Sequence, residues 1–313
     1  TVTLVVGNGR IAGFQFTQVP ERYAPGFALH VQPQLQLVDG FGNSVLRPGV
    51  TVTVSIRSGS GSLLGTLSVE TDEQGTARFT DLGIDGDEPV TLEFSTVGLE
   101  DTSAVVTPMQ PMELVFDGSC YSNFGVTLPI SGFDDEEPIF VDWGDGTKET
   151  YGFGTLYVSD LIVSPSSEHV VRVYGTATQF GDDQYRGDND NWDGAALLIR
   201  VDAWGDLGLS SLNHAFYRAE ALVSLPSTLP PGITNLFGTL SHATNFNQDV
   251  SNWDVSRVVT MEELFFEAES FNNGCDEDVH TCPLDWGDGT RNVRSMEAMF
   301  DEAHDFDQDI NSW

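Results

Sequence analysis

The sequence predicts a mainly β protein, with two β-sandwich domains followed by an α/β solenoid of about 25-residue repeats. Three observations carry that expectation. Apolar and polar residues alternate in short runs up to about residue 202, the period of a half-buried strand. Gly, Asn and Asp cluster between the runs, where turns need them. After Trp204 the apolar period lengthens to three and four, the spacing of one helical face.

In the first expected domain, residues 1–108, the runs Leu35–Val38, Val50–Ile56 and Val90–Phe94 read as strands. The segments Asp39-Gly-Phe-Gly-Asn43, Gly59-Ser-Gly-Ser62, Asp72-Glu-Gln-Gly75 and Asp85-Gly-Asp87 read as turns. Short strands with turns at roughly ten-residue intervals describe a sandwich. The order Gln34–Asn43, then Pro48–Val54, then Thr71–Phe79 resembles the bacterial immunoglobulin-like domains of invasin-type surface proteins. That resemblance implies a spacer module in an extracellular stalk.

Pro108-Met-Gln-Pro111 reads as a short stiff linker to a second domain, residues 112–202. This domain carries Val141-Asp-Trp-Gly-Asp-Gly-Thr147 and, later, the strand Glu168–Gly175 with His169. Gly144 and Gly146 permit left-handed turn geometry, the Asp145 carboxylate can accept local backbone N–H groups, and Trp143 anchors the turn. The pair of motifs resembles the polycystic-kidney-disease (PKD) type of sandwich, which implies a structural role for them. The loop Gly181–Gly194 is longer than a hairpin connection. Its Asp182, Asp183, Asp188, Asp190 and Asp193 supply the hard oxygen ligands calcium prefers. They do not follow the EF-hand pattern, because Trp192 stands at the fifth position counted from Asp188, and a solvated acidic loop explains them more simply than a calcium site. Arg186-Gly-Asp188 spells the tripeptide that integrins recognise, a match that chance readily supplies in a chain this rich in Gly and Asp.

In the third domain, residues 204–313, four segments share one spacing. They are Leu212, Phe216, Ala219, Leu222; Leu236, Leu240, Ala243, Phe246; Met261, Phe265, Ala268, Phe271; and Met296, Phe300, Ala303, Phe306. Steps of four, three and three predict helices, and Ser211, Asn235, Thr260 and Ser295 stand where N-caps would. The third interval is longer than the others by an insertion of about ten residues, so the unit is of leucine-rich-repeat length. The stretch Phe246–Phe266, which includes Asn-Gln-Asp-Val-Ser-Asn-Trp-Asp-Val-Ser, resembles the BspA-type repeat of bacterial surface proteins, and Phe306–Trp313 restarts it. Such repeats stack, each burying its stripe against the next. The chain opens at Thr1 without an initiator Met and stops inside a repeat, so it reads as a piece of something longer, with further repeats or a partner expected to follow. A second Asp285-Trp-Gly-Asp-Gly-Thr290 lies in the insertion, where Trp286 and Asp288 are expected to shape a tight turn.

The insertion also carries Cys275 and Cys282, which read as a disulfide closing a surface loop. A zinc site would need two more soft ligands, and only His280 is near. Cys120 reads as a small buried hydrophobe or an intermolecular partner.

The chain of 313 residues holds 13 Lys+Arg against 48 Asp+Glu, for a formal charge of −35. Only Lys148 is lysine, and no basic cluster offsets the acids. Such a surface repels phosphate backbones and anionic headgroups, which argues against nucleic-acid and direct membrane partners. It suits saline or divalent-rich water, where counterions screen self-repulsion. None of the six histidines falls in a nucleophile or metal motif, so no catalytic residue and no cofactor other than calcium is expected. The expectation is a non-enzymatic extracellular protein of a surface stalk, appendage or filament, built for contact with copies of itself, other surface proteins or a host or neighbouring cell. The alternatives are a carbohydrate- or protein-binding module of a surface protein, and a virion or filament subunit.

Overall fold

A computed structural model describes residues 9–118, 123–153, 156–162, 168–181, 192–276 and 279–313. The chain is mainly β and divides into two compact units, residues 1–109 and 110–313. Cys120, Asp182, Asp183, Asp188, Asp190 and the Arg186-Gly-Asp188 tripeptide lie outside the described residues.

In the first unit, strand Gln34–Asp39 pairs antiparallel with Ile11–Gln18 and with Thr76–Arg78. A five-stranded sheet runs in the order Arg22–Tyr23, Thr102–Pro108, Val90–Ser95, Thr51–Ser58, Ser68–Glu70. A third sheet joins Phe27–Ala28, Gly83–Asp85 and Ser62–Leu64. The period-two reading holds residue by residue: Val52, Val54, Val90, Leu92 and Phe94 point into one core while Thr51, Thr53 and Ser55 stay exposed. The expected turns form as their residues dictate. The Asp39 carboxylate accepts the N–H groups of Phe41 and Asn43, and Asp72 accepts those of Gln74 and Thr76.

The second unit opens with a five-stranded sheet in the order Lys148–Tyr151, Ile139–Asp142, Glu168–Tyr174, Met112–Asp117, Leu198–Ala203. Two shorter pairs accompany it, Asn123–Leu128 with Leu156–Ile162 and Ile130–Ser131 with Gln179–Phe180. The expected boundary at 202–204 does not divide the core. One continuous apolar cluster runs from Met112 to Met299, with Phe180 against Phe216 and Trp204 against Phe216 at ring-centroid distances of 5.7 and 6.1 Å.

Beyond Trp204 the expected helices are absent. Among the described residues the helical segments are two short 3-10 turns, Ala195–Leu197 and Gly287–Asn292, so the segment is no α/β solenoid. The apolar stripe is real: Leu212, Phe216, Ala219, Leu222 and their counterparts through Phe271 are fully buried. The backbone that carries it is a series of overlapping turns. In the first rung the N–H groups of Ala215, Tyr217 and Ala219 donate to the carbonyls three residues back. Those of Leu212, His214, Phe216 and Arg218 instead donate to Asn235, Phe237, Thr239 and Ser241 of the next rung. The second and third rungs repeat this on their successors, through Leu236, Gly238, Leu240 and His242 and through Met261, Glu263, Phe265 and Glu267. The bonds a helix would make are thereby replaced by short local bonds alternating with bonds to the neighbouring rung.

The geometry depends on two left-handed residues per rung. His214 and Arg218, Gly238 and His242, Glu263 and Glu267, and Ala298 and Glu302 all have φ between 51° and 57°. A turn closed by an i to i+3 bond accepts such a residue at its third position, whereas a right-handed helix does not. The residues expected as N-caps are the parallel bridge positions, Ser211 with Asn235, Asn235 with Thr260, and Thr260 with Ser295. Their side chains still accept the N–H two residues on, as from Phe237 to Asn235 Oδ1 at 2.9 Å. That is cap chemistry serving a turn.

Candidate interaction sites

The Trp-Gly-Asp-Gly-Thr runs show how context decides what a motif does. In the first, Trp143 is fully buried, its backbone N–H donates to the Thr147 carbonyl at 3.0 Å and its Nε1 to Glu149 at 3.1 Å. Asp145 accepts the Thr147 N–H at 2.8 Å, Asp142 accepts that of Gly144 at 3.0 Å, and His169 Nε2 lies 2.6 Å from the Trp143 carbonyl. In the second run the same residues form a 3-10 turn. Trp286 is buried, donates to the Val250 carbonyl of the preceding rung at 2.9 Å and stacks on Trp313 at 5.0 Å, while Asp288 is exposed in the turn. The Asp285 carboxylate, just before that turn, accepts the Gly287 N–H at 3.1 Å.

Cys275 and Cys282 are joined, with their Cα atoms 6.0 Å apart. The loop they close is tied to the rungs by amides. Asn247 donates to the Cys275 carbonyl, Asn273 to the Cys282 carbonyl, and Gln308 accepts the Cys282 N–H. Asn272 and Asn273 are almost completely buried, and each spends its amide on loop carbonyls or on the adjacent rung. His280 faces Asp307 at 3.1 Å on the exposed side of this loop. Of the five acidic residues in the expected calcium loop, Asp193 alone is described. Its carbonyl accepts the Thr127 N–H and its carboxylate the Thr127 hydroxyl. Among the described residues no group of three or more His, Cys, Asp or Glu is gathered as metal ligands would be.

The left-handed positions place side chains on one flank of the rung stack, an arrangement the sequence reading did not anticipate. His242 Nδ1 lies 2.9 Å from Glu267 Oε2, and its ring packs edge-on against Tyr217 at 5.2 Å and Phe266 at 5.5 Å. His214 packs on Phe237 at 4.7 Å. Glu263 is partly buried between Glu262 and Glu297, and desolvation followed by those two charges pushes its carboxyl above the ordinary value.

A groove of about 520 Å³ lies in the second unit, floored by Trp204, Leu209 and Pro230 and edged by Pro231, Asp206 and Arg257. Gly232 lets the backbone pass close to Leu209, because a Cβ there would come 2.9 Å from the Leu209 carbonyl. The Trp204 indole N–H donates to the Thr228 carbonyl at 2.7 Å, so this polar atom of the ring is already paired. The guanidinium of Arg257 is exposed and makes no hydrogen bond or ion pair among the described residues. The sequence offers no spacing rule that would gather these residues.

Residues 210–313, the rung segment, match the family described as "Mycoplasma protein of unknown function, DUF285". No curated protein matches the chain. Among the described residues no helix is long and apolar enough to cross a membrane.

Proposed function

We propose that this chain is a non-enzymatic extracellular structural protein, part of a surface stalk, appendage or filament, in which an immunoglobulin-like and a PKD-like sandwich precede BspA-like repeats. The observation that supports this reading is the rung stack. Its backbone bonds pass from each rung to the next in one sense, and its side-chain amides bind the insertion to the same column. Such a unit lengthens by repetition and presents a regular flank, which suits a spacer or contact surface. The distribution of charge agrees with it: the acids occupy turns and flanks, and the core stripe carries none. The test is to locate the native protein by immunogold labelling of intact and permeabilised cells. Label on the exterior of intact cells, or on filaments shed from them, is expected; label confined to the interior of permeabilised cells overturns the reading.

The groove beside Trp204 favours a second reading, a ligand-binding module of a surface protein. Screening the intact chain against carbohydrate and peptide arrays tests it, and binding that survives Arg257→Glu would place the ligand elsewhere.

A further inference from the structure

The two units are built to answer tension differently, because the strands at their ends are paired in opposite senses. In the first unit Arg22–Tyr23, near the entry of the chain, pairs parallel with the exit strand at Thr107–Pro108. The N–H groups of Thr107 and Met109 donate to the carbonyls of Glu21 and Tyr23 at 2.9 and 2.8 Å, and the Thr107 hydroxyl donates to the Glu21 carbonyl. Pulling the two ends of this unit drags parallel neighbours past one another along their length. The bonds of such a pair share the load and must fail together. The entry side is also rooted, since Tyr23 is fully buried and its hydroxyl donates to the Glu88 carbonyl at 2.6 Å.

The second unit has the other geometry. Its entry strand Met112–Asp117 pairs antiparallel with Leu198–Ala203, and Glu113 stands opposite Ala203, so the start of one strand meets the end of the other. Tension across that pair opens it from one end and loads one bond at a time. The rungs beyond Ala203 yield in the same way. The last rung is attached to the third by the N–H groups of Met261, Glu263, Phe265 and Glu267, which donate to Ser295, Glu297, Met299 and Asp301. A chain drawn from Trp313 meets these bonds in turn, Asp301 first and Ser295 last. Gln110, where the unit begins, accepts the Asp206 N–H at 3.1 Å just ahead of the first rung. Force between the ends of the unit therefore runs along the stack, and each rung, held by its neighbours alone, comes away separately. The Cys275–Cys282 disulfide closes a loop in the insertion that cannot lengthen while the bond is intact.

We propose that this chain is an extensible tether, in which the second unit lengthens rung by rung under tension while the first unit holds. The inference deepens the stalk or filament reading and rests on it for its biological setting. The order of release is a property of the purified chain.

The test holds the whole chain by its two ends in an optical trap and raises the force slowly, with and without dithiothreitol. At about 3.3–3.6 Å per released residue, rungs of about 25 residues are expected to appear as steps of roughly 80–90 Å. Reduction is expected to lengthen the step that carries the insertion by about 20 Å and to leave the others unchanged. All of these are expected at lower force than a single step of about 300 Å, the length of the roughly 90 residues between Glu21 and Met109. Thr107→Pro, at an exposed position, removes the N–H donor to Glu21. It is expected to shorten the lifetime of the first unit at fixed force about tenfold, the scale of one lost bond, and to leave the rung steps where they are. A long step that precedes the rung steps, a second unit that ruptures whole, or a Thr107→Pro chain with the wild-type lifetime overturns the proposal. The first two outcomes are read on the unaltered chain, so they decide even where the variant fails to fold. Immunogold labelling involves no force, so failure of the tether and failure of the stalk reading are told apart.

Discussion

Gly144 has φ +79°, and a Cβ there would collide with the carbonyl of Val170 in the facing strand. Left-handed geometry costs a side chain about 1–2 kcal/mol, and the backbone collision adds to it. Gly144→Ala is therefore expected to lower stability by at least ~2 kcal/mol, read as a fall in the urea midpoint. The same substitution at Gly146, also at positive φ but with nothing within 4 Å of its Cβ, should cost only the conformational part. Glu263 offers a residue-scale test of opposite sign. Its folded-state pKa is raised, first by burial and then by Glu262 and Glu297. A group raised in this way contributes stability that is present below its unfolded value, near 4.5, and is lost as pH rises through the folded value. Glu263→Gln is expected to raise the melting temperature at about pH 7, with the difference closing by about pH 4. Equal melting temperatures at both pH values would mean the carboxylate is fully solvated.

At the scale of the element, the rung is a chain of turns, and Ala298 distinguishes it from a helix. Ala298 stands at φ 51°. In a helix interior Ala→Gly costs about 1 kcal/mol. At a left-handed position the same change relieves a Cβ penalty of about 1–2 kcal/mol and returns part of it as unfolded-state entropy. Ala298→Gly is expected to be neutral or stabilising by up to ~1 kcal/mol in chemical denaturation; a loss of that size would restore the helix. The ambiguity explains what the sequence could and could not disclose. Steps of four, three and three put Leu212, Phe216, Ala219 and Leu222 on one side of a helix, and equally on one side of successive turns. The buried set was therefore legible while its backbone was not. The discriminating positions hold His214, Arg218, His242, Glu263, Glu267 and Glu302, residues that do not advertise positive φ; Gly238 alone does. The bonds that compensate them run to the next rung, and no local window contains them. The strands of the first unit were legible because their period belongs to each strand by itself. The groove at Trp204 was not, because it is made where turns from separate rungs converge.

At the scale of the whole molecule, the dominant quantity is the charge of −35. Ion pairs such as Arg57 with Glu93 and Arg78 with Asp72 lie at the surface, and exposed pairs of this kind contribute about 0–1 kcal/mol each. The surplus carboxylates repel one another across the folded surface, and folding brings them closer than an expanded chain does. Salt relieves that repulsion by shortening the screening length from roughly 30 Å at 0.01 M to 10 Å at 0.1 M. The melting temperature is therefore expected to climb with sodium chloride in the presence of a chelator, most steeply below ~0.1 M. Calcium is then a separable variable. Added at constant ionic strength, it can raise the melting temperature further only by binding the folded chain more tightly than the unfolded one. The acidic loop of Asp182, Asp183, Asp188, Asp190 and Asp193 is the place where such binding is expected. A calcium-specific rise that Asp188→Asn and Asp190→Asn abolish assigns the ion to that loop. A rise with sodium chloride alone makes the charge a matter of screening, and a melting temperature indifferent to both would confine it to keeping the molecule soluble.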